Sequence, residues 1–161
     1  MYIFSIIGAC TISLSAMVYF KEINAYKRRG VKQSEAFIEL IEYIKNQVEC
    51  FLLPVDKILG ACDKGLLSKC GFNGDSRSPL SISEIIDCSD LYVDTEVAEL
   101  MKKFANEFGS VYKDEQIRLC NHCISELRSY VNKAQAKYTN DRKMYLGLSV
   151  CFVVSLILML I

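Results

Sequence analysis

From Met144 to Ile161 the sequence reads MYLGLSVCFVVSLILMLI, eighteen residues without a charge. As an α-helix rising about 1.5 Å per residue this run is roughly 27 Å long, close to the hydrocarbon thickness of a bilayer. Its Leu, Ile, Val and Phe residues each favour insertion by about 0.3–0.6 kcal/mol near the bilayer centre, which outweighs Gly147, Ser149 and Ser155. A buried core helix is the competing reading. The uninterrupted run behind Arg142 and Lys143 fits a membrane helix with a basic flank better.

The first twenty residues, MYIFSIIGACTISLSAMVYF, are also uncharged but carry four Ser and Thr residues and a glycine, which weakens insertion. A cleaved signal peptide would begin with basic residues. Here Lys21, Lys27, Arg28, Arg29 and Lys32 follow the apolar run instead. Lys133, Lys137, Arg142 and Lys143 precede the last run, so both basic flanks face the middle of the chain. The positive-inside rule then puts the middle in the cytoplasm. The expected architecture is all-α: a transmembrane helix over 1–22, a cytoplasmic helical domain over 23–143 and a second transmembrane helix over 144–161.

Every Lys, Arg, Asp and Glu lies between Lys21 and Lys143, in overall balance at 19 basic and 19 acidic residues, which gives no nucleic-acid signature. The periods of the middle segment are helical. Phe37, Ile41, Ile44, Val48 and Phe51 recur by fours and threes, predicting a helix from Ser34 to Leu52. Pro54 permits a restart, and a short helix is expected to end near Gly65. CGFNGDSRSP, residues 70–79, is the one long loop-like stretch. Beyond it, Ser81 or Ser83 can start a short helix through Ile86, and Asp94 or Thr95 can cap a helix bearing Val97, Leu100, Met101, Phe104 and Phe108. Ile117, Cys120, Ile124, Leu127, Val131, Ala134 and Tyr138 then form a regular stripe on a helix from about Asp114 to Ile161. Gly109 marks the turn before it. The stripe suits either the seam of a dimer or the buried face of a bundle. Ala134 and two cysteines favour the bundle, with a homo-oligomer left open.

Within the apolar segments, Gly147, Cys151 and Ser155 share one helical face, as do Ser5, Gly8, Thr11 and Ser15. Small faces of this kind let membrane helices pack closely on partner helices. Eight cysteines raise the question of metal or disulfides. Cys120, His122 and Cys123 are the candidate ligands for a metal- or redox-responsive sensor. A structural zinc wants four ligands and no second close pair exists, so the expected metal site is none. A cytoplasmic middle implies reduced thiols, whereas a disulfide framework requires it to lie outside. No phosphate-cradling glycine loop, nucleophile elbow or triad context is present, so neither enzyme nor cofactor is expected.

FLLPVDKIL, FANEFGSVYKDEQ and YLGLSV, set between two apolar segments, resemble the stage III sporulation protein AB family, which is similar to the helical platform proteins of type II secretion and type IV pilus assembly. Gly109 and Gln116 match the family's glycine and the glutamine seven residues on. Phe108 stands for its leucine, Tyr112 replaces its aspartate, and Pro54 fits its proline. The resemblance implies a non-enzymatic platform or adaptor of a secretion-like channel between mother cell and forespore. It would lie in the mother-cell membrane around the forespore, dock a secretion-type ATPase, and pack against other membrane subunits and lipid.

Overall fold

The computed structural model describes residues 2–51, 53–73 and 79–160; inside the helices, most side chains of residues 2–20 and 142–160 fall outside the description. The described residues are mostly helical and contain no strand. Six helices are present among them: α1 (Tyr2–Phe51), α2 (Val55–Gly60), α3 (Lys64–Lys69), α4 (Ile82–Asp87), α5 (Thr95–Phe108) and α6 (Lys113–Leu160). Among the described residues no helix is long and apolar enough to cross a membrane. The expected membrane segments fall largely on side chains outside that set, as do Ser5, Gly8, Cys151 and Ser155.

The helix expected to begin at Ser34 is instead continuous with the first apolar segment, through Lys27, Arg28 and Arg29. Straight-chain basic residues are good helix formers, so nothing local breaks it. Its buried face carries Ala36, Phe37, Leu40, Ile41, Ile44 and Val48. Phe51, expected to close that stripe, is 64% exposed, because α1 ends there and the chain turns away through Pro54. Pro54 directly precedes α2, and its carbonyl accepts from the amides of Lys57 and Ile58. The helix expected to reach Gly65 stops at Gly60. A second begins at Lys64, where the carbonyl of Asp63 accepts from Leu66 and Leu67.

α1 and α6 form the axis of the fold. Lys27 pairs with Asp141 at 3.7 Å, Glu35 accepts from Gln135 at 3.0 Å, Glu42 pairs with Arg128, and the Glu49 carbonyl accepts from Lys113 Nζ at 2.8 Å. Residue numbers rise on one helix as they fall on the other, so the two run antiparallel. Exposed pairs of this kind each contribute at most about 1 kcal/mol. The register comes from the core, where Cys120, Cys123, Ile124, Leu127 and Val131 of α6 are buried in the same cluster as the α1 stripe or beside it. The α6 stripe is thus covered within the chain, by α1 and by Val97, Met101, Phe104 and Phe108 of α5. Ile82, Ile85 and Ile86 of α4 extend this layer. Ser81 Oγ caps α4 by accepting from the Glu84 amide, while the Glu84 carboxylate accepts from the Leu80 amide.

A polar layer sits above the apolar one on α1. Gln33 is buried and fully engaged: its Nε2 donates to the carbonyls of Cys70 (2.7 Å) and Asp90 (2.9 Å), and its Oε1 accepts from the Tyr92 amide (2.8 Å). One side chain therefore ties the chain just after α3 to the stretch between α4 and α5. Gly71, at φ +91°, turns the chain beside it, and any Cβ there would meet Gln33 Nε2 at 2.6 Å. Glycine alone tolerates both conditions. Phe72 then forms an isolated antiparallel bridge with Ser89.

Candidate functional site

The α1–α6 ladder gives the molecule two ends. At the end farther from the apolar segments, α1 stops at Phe51 and α6 starts at Lys113, and the bond from Lys113 to the Glu49 carbonyl joins them. This tip presents Phe51, Leu53 and Tyr112, the last 93% exposed. Gln116 shapes it: its amide donates to the Tyr112 carbonyl at 2.9 Å and its side chain to the Val111 carbonyl at 3.0 Å. Gly109 caps α5 at φ −81° with open space where a side chain would go. The chain turns at Gly109 as expected, and the turn does not depend on a left-handed glycine. Pro54 and the pair Gly109 and Gln116, more than fifty residues apart in sequence, all flank this one end.

At the other end, α1 residues 26–35, residues 92–94 and α6 residues 130–141 line a half-open cavity of about 510 Å³. Lys27, Arg28, Lys32, Lys133 and Lys137 line it, with Glu35, Asp94 and Asp141. Each carboxylate has a partner: Glu35 takes Gln135, Asp141 takes Lys27, and Asp94 accepts from the Tyr130 hydroxyl at 2.7 Å. Burial, then the bond to Asp94, pushes the Tyr130 phenol up to about 12. Arg28, Lys32, Lys133 and Lys137 make no ion pair among the described residues. Tyr92 carries the Arg29 guanidinium over its ring at 5.7 Å and meets Tyr26 edge-on at 5.7 Å.

Four of the described cysteines, Cys62, Cys70, Cys120 and Cys123, are packed in the core. Cys70, Cys120 and Cys123 are buried, and burial pushes each thiol up to about 12. His122 is exposed while its two neighbours on the helix point inward, so these three do not converge. No group of three or more His, Cys, Asp or Glu side chains that could hold a metal exists among the described residues. In the apolar segments, Gly147 is exposed, with nothing within 4 Å of where a Cβ would stand. The Ser15 hydroxyl donates to the Thr11 carbonyl at 2.8 Å, which satisfies it within its own helix.

Sequence reasoning missed the cavity, because its walls come from three remote stretches, two of which read separately as basic flanks and the third, residues 92–94, as a helix start. It missed Gln33 because a polar residue interrupts an apolar stripe. The available signal was spacing, since Gly30, Gln33, Ser34 and Phe37 continue the buried face of α1 toward its N-terminus.

Neither a curated protein nor a solved structure matches the chain. The family model for stage III sporulation protein AB matches residues 81–161, the half that contains α4, α5, the tip turn and all of α6. On that match the chain belongs to the stage III sporulation protein AB family.

Proposed function

We infer that this sporulation protein is a non-enzymatic platform, fixed to the mother-cell membrane at both ends of its sequence, whose cytoplasmic bundle docks a secretion-type ATPase and organises neighbouring channel subunits. One observation carries the reading: the antiparallel α1–α6 ladder sends both uncharged segments out of the same end of the bundle. A chain anchored twice in one membrane needs that geometry. The opposite end then stands away from the membrane, and its exposed Phe51, Leu53 and Tyr112 are the side chains offered to the motor. Aromatic residues of this kind dominate binding energy where proteins meet. Gly147, Cys151 and Ser155, by their four-residue spacing in the sequence, are the small residues proposed to meet other membrane helices, a second copy of the chain included.

The experiment compares three chains in sporulating cells: the full chain, one lacking 144–161, and Leu53→Glu/Tyr112→Glu. The truncation is expected to leave the membrane fraction and block development at engulfment. The tip variant is expected to stay in the membrane but lose its cross-links to the ATPase. Normal spores from the truncation would refute the platform.

A further inference from the structure

The cavity at the membrane-facing end has a charge pattern that basic flanks alone do not require. A topological flank needs only positive residues near a membrane helix. Here four exposed cations, Arg28, Lys32, Lys133 and Lys137, line one half-open groove of about 510 Å³ between two helices. The carboxylates in the same wall are already occupied by Lys27, Gln135 and the Tyr130 hydroxyl. The wall carries five cations against three carboxylates, a net positive charge whose unpaired N–H donors suit the tetrahedral oxygens of a phosphate. The position suits a lipid source. Along α6 the cavity wall runs from Lys133 and Lys137, about 17 and 10 Å before Met144, to Asp141 at about 4.5 Å, while the headgroup layer adds roughly 5–7 Å to each face of a bilayer; the Lys137 side chain is long enough to span the difference by extending toward the membrane. Tyr26 and Tyr138, which also line it, are the amphipathic rings found at that level.

We propose that this cavity binds a phosphate anion supplied by the headgroup of an anionic phospholipid, one lipid per chain, clamping α1 against α6 where the two helices leave the membrane. The lipid source rests on the double-anchor reading; the anion chemistry rests on the cavity alone.

The test uses the full chain in detergent, titrated with phosphatidylglycerol or phosphatidylcholine and read by native mass spectrometry, with flotation on vesicles as a separate assay of membrane attachment. One saturable phosphatidylglycerol is expected, with phosphatidylcholine much weaker. Lys133→Gln/Lys137→Gln should weaken it by on the order of tenfold or more. Ala134→Phe, which fills the cavity without changing charge, should also weaken it. Lys21→Gln removes a charge closer to the apolar segment but outside the cavity, and should change binding by less than about twofold. Equal losses from Lys21→Gln and Lys137→Gln would reduce the effect to diffuse attraction and overturn the site, as would equal binding of the two lipids. Displacement of the lipid by millimolar inorganic phosphate would overturn the lipid source and leave a soluble phosphate as the ligand. Failure to float, with the phosphate site intact, would refute the anchors and the lipid source together, but not the anion chemistry.

Discussion

The carbonyl oxygen of Tyr92 lies 2.5 Å from the point a Cβ on Gly30 would occupy. The stretch before α5 therefore rests directly on the α1 backbone, and the atom in the way belongs to main chain that cannot swing aside. In an open helix, Gly→Ala stabilises by about 1 kcal/mol. Gly30→Ala should reverse that sign and cost about 1–3 kcal/mol through forced displacement of residues 92–93. Gly109→Ala, with ordinary helical φ and open space, should be neutral or slightly stabilising. Thermal unfolding of both variants of the full chain in detergent decides the matter; equal effects would refute the close approach.

Gln33→Leu keeps bulk but orphans two carbonyls and an amide, and is expected to cost about 2–4 kcal/mol. Gln33→Glu should be worse at neutral pH, because a carboxylate would face the carbonyl oxygens of Cys70 and Asp90. Its folded-state pKa would be raised, so the deficit relative to wild type should shrink as pH falls and the carboxyl regains a proton. A deficit that grows toward acid pH would contradict the donor role assigned to this side chain.

Thiol reactivity should divide along burial. Cys50 and Cys88 are exposed, whereas Cys70, Cys120 and Cys123 are buried with thiols pushed up to about 12. At pH 8, peptide mapping after a short pulse of iodoacetamide should find Cys50 and Cys88 modified and the other three protected until the protein is denatured. Cys88, and not the loop residue Cys70, is therefore the position to probe with impermeant reagents for topology. Native Cys123 reacting as fast as Cys88 would contradict the packing of α6.

The Tyr130 phenol gives alkaline pH a specific handle. Its folded-state pKa, about 12, lies above the ordinary value of 10.0. Its contribution to stability is thus fully present below about pH 10 and lost as pH rises from there through about 12. Tyr130→Phe should remove the bond to Asp94, cost about 1 kcal/mol at neutral pH, and flatten the alkaline part of the stability profile. An unchanged profile would place the alkaline transition elsewhere.

Sequence reading succeeded where one physical term dominates. On α6, burial alone selects Cys120, Ile124, Leu127 and Val131, and their three- and four-residue steps stand out against charged neighbours. Ser81 was legible as a cap because its hydroxyl acts within four residues. The helices between Pro54 and Lys69 were harder, since the break at Ala61–Asp63 follows from packing Ile58, Leu59 and Leu67 against α1 rather than from any strong breaker. Asp94 caps α5 by position, but its carboxylate is drawn to Tyr130, thirty-six residues away, and no local rule reports that. The cavity is of the same kind, because it exists only once residues 26–35 and 130–141 lie side by side.

The pairing of the first helix with the last also sets the order in which the chain can mature. The α1 stripe from Ala36 to Val48 finds its main cover only when Cys120 to Val131 have been made, about 80 residues later; at about 5–20 residues per second, that is roughly 4–16 s on the ribosome. During this interval a long amphipathic helix waits with its apolar side open. A transcript broken before codon 120 would release a product that never covers that side, and quality-control proteases would meet it as an unfinished hairpin.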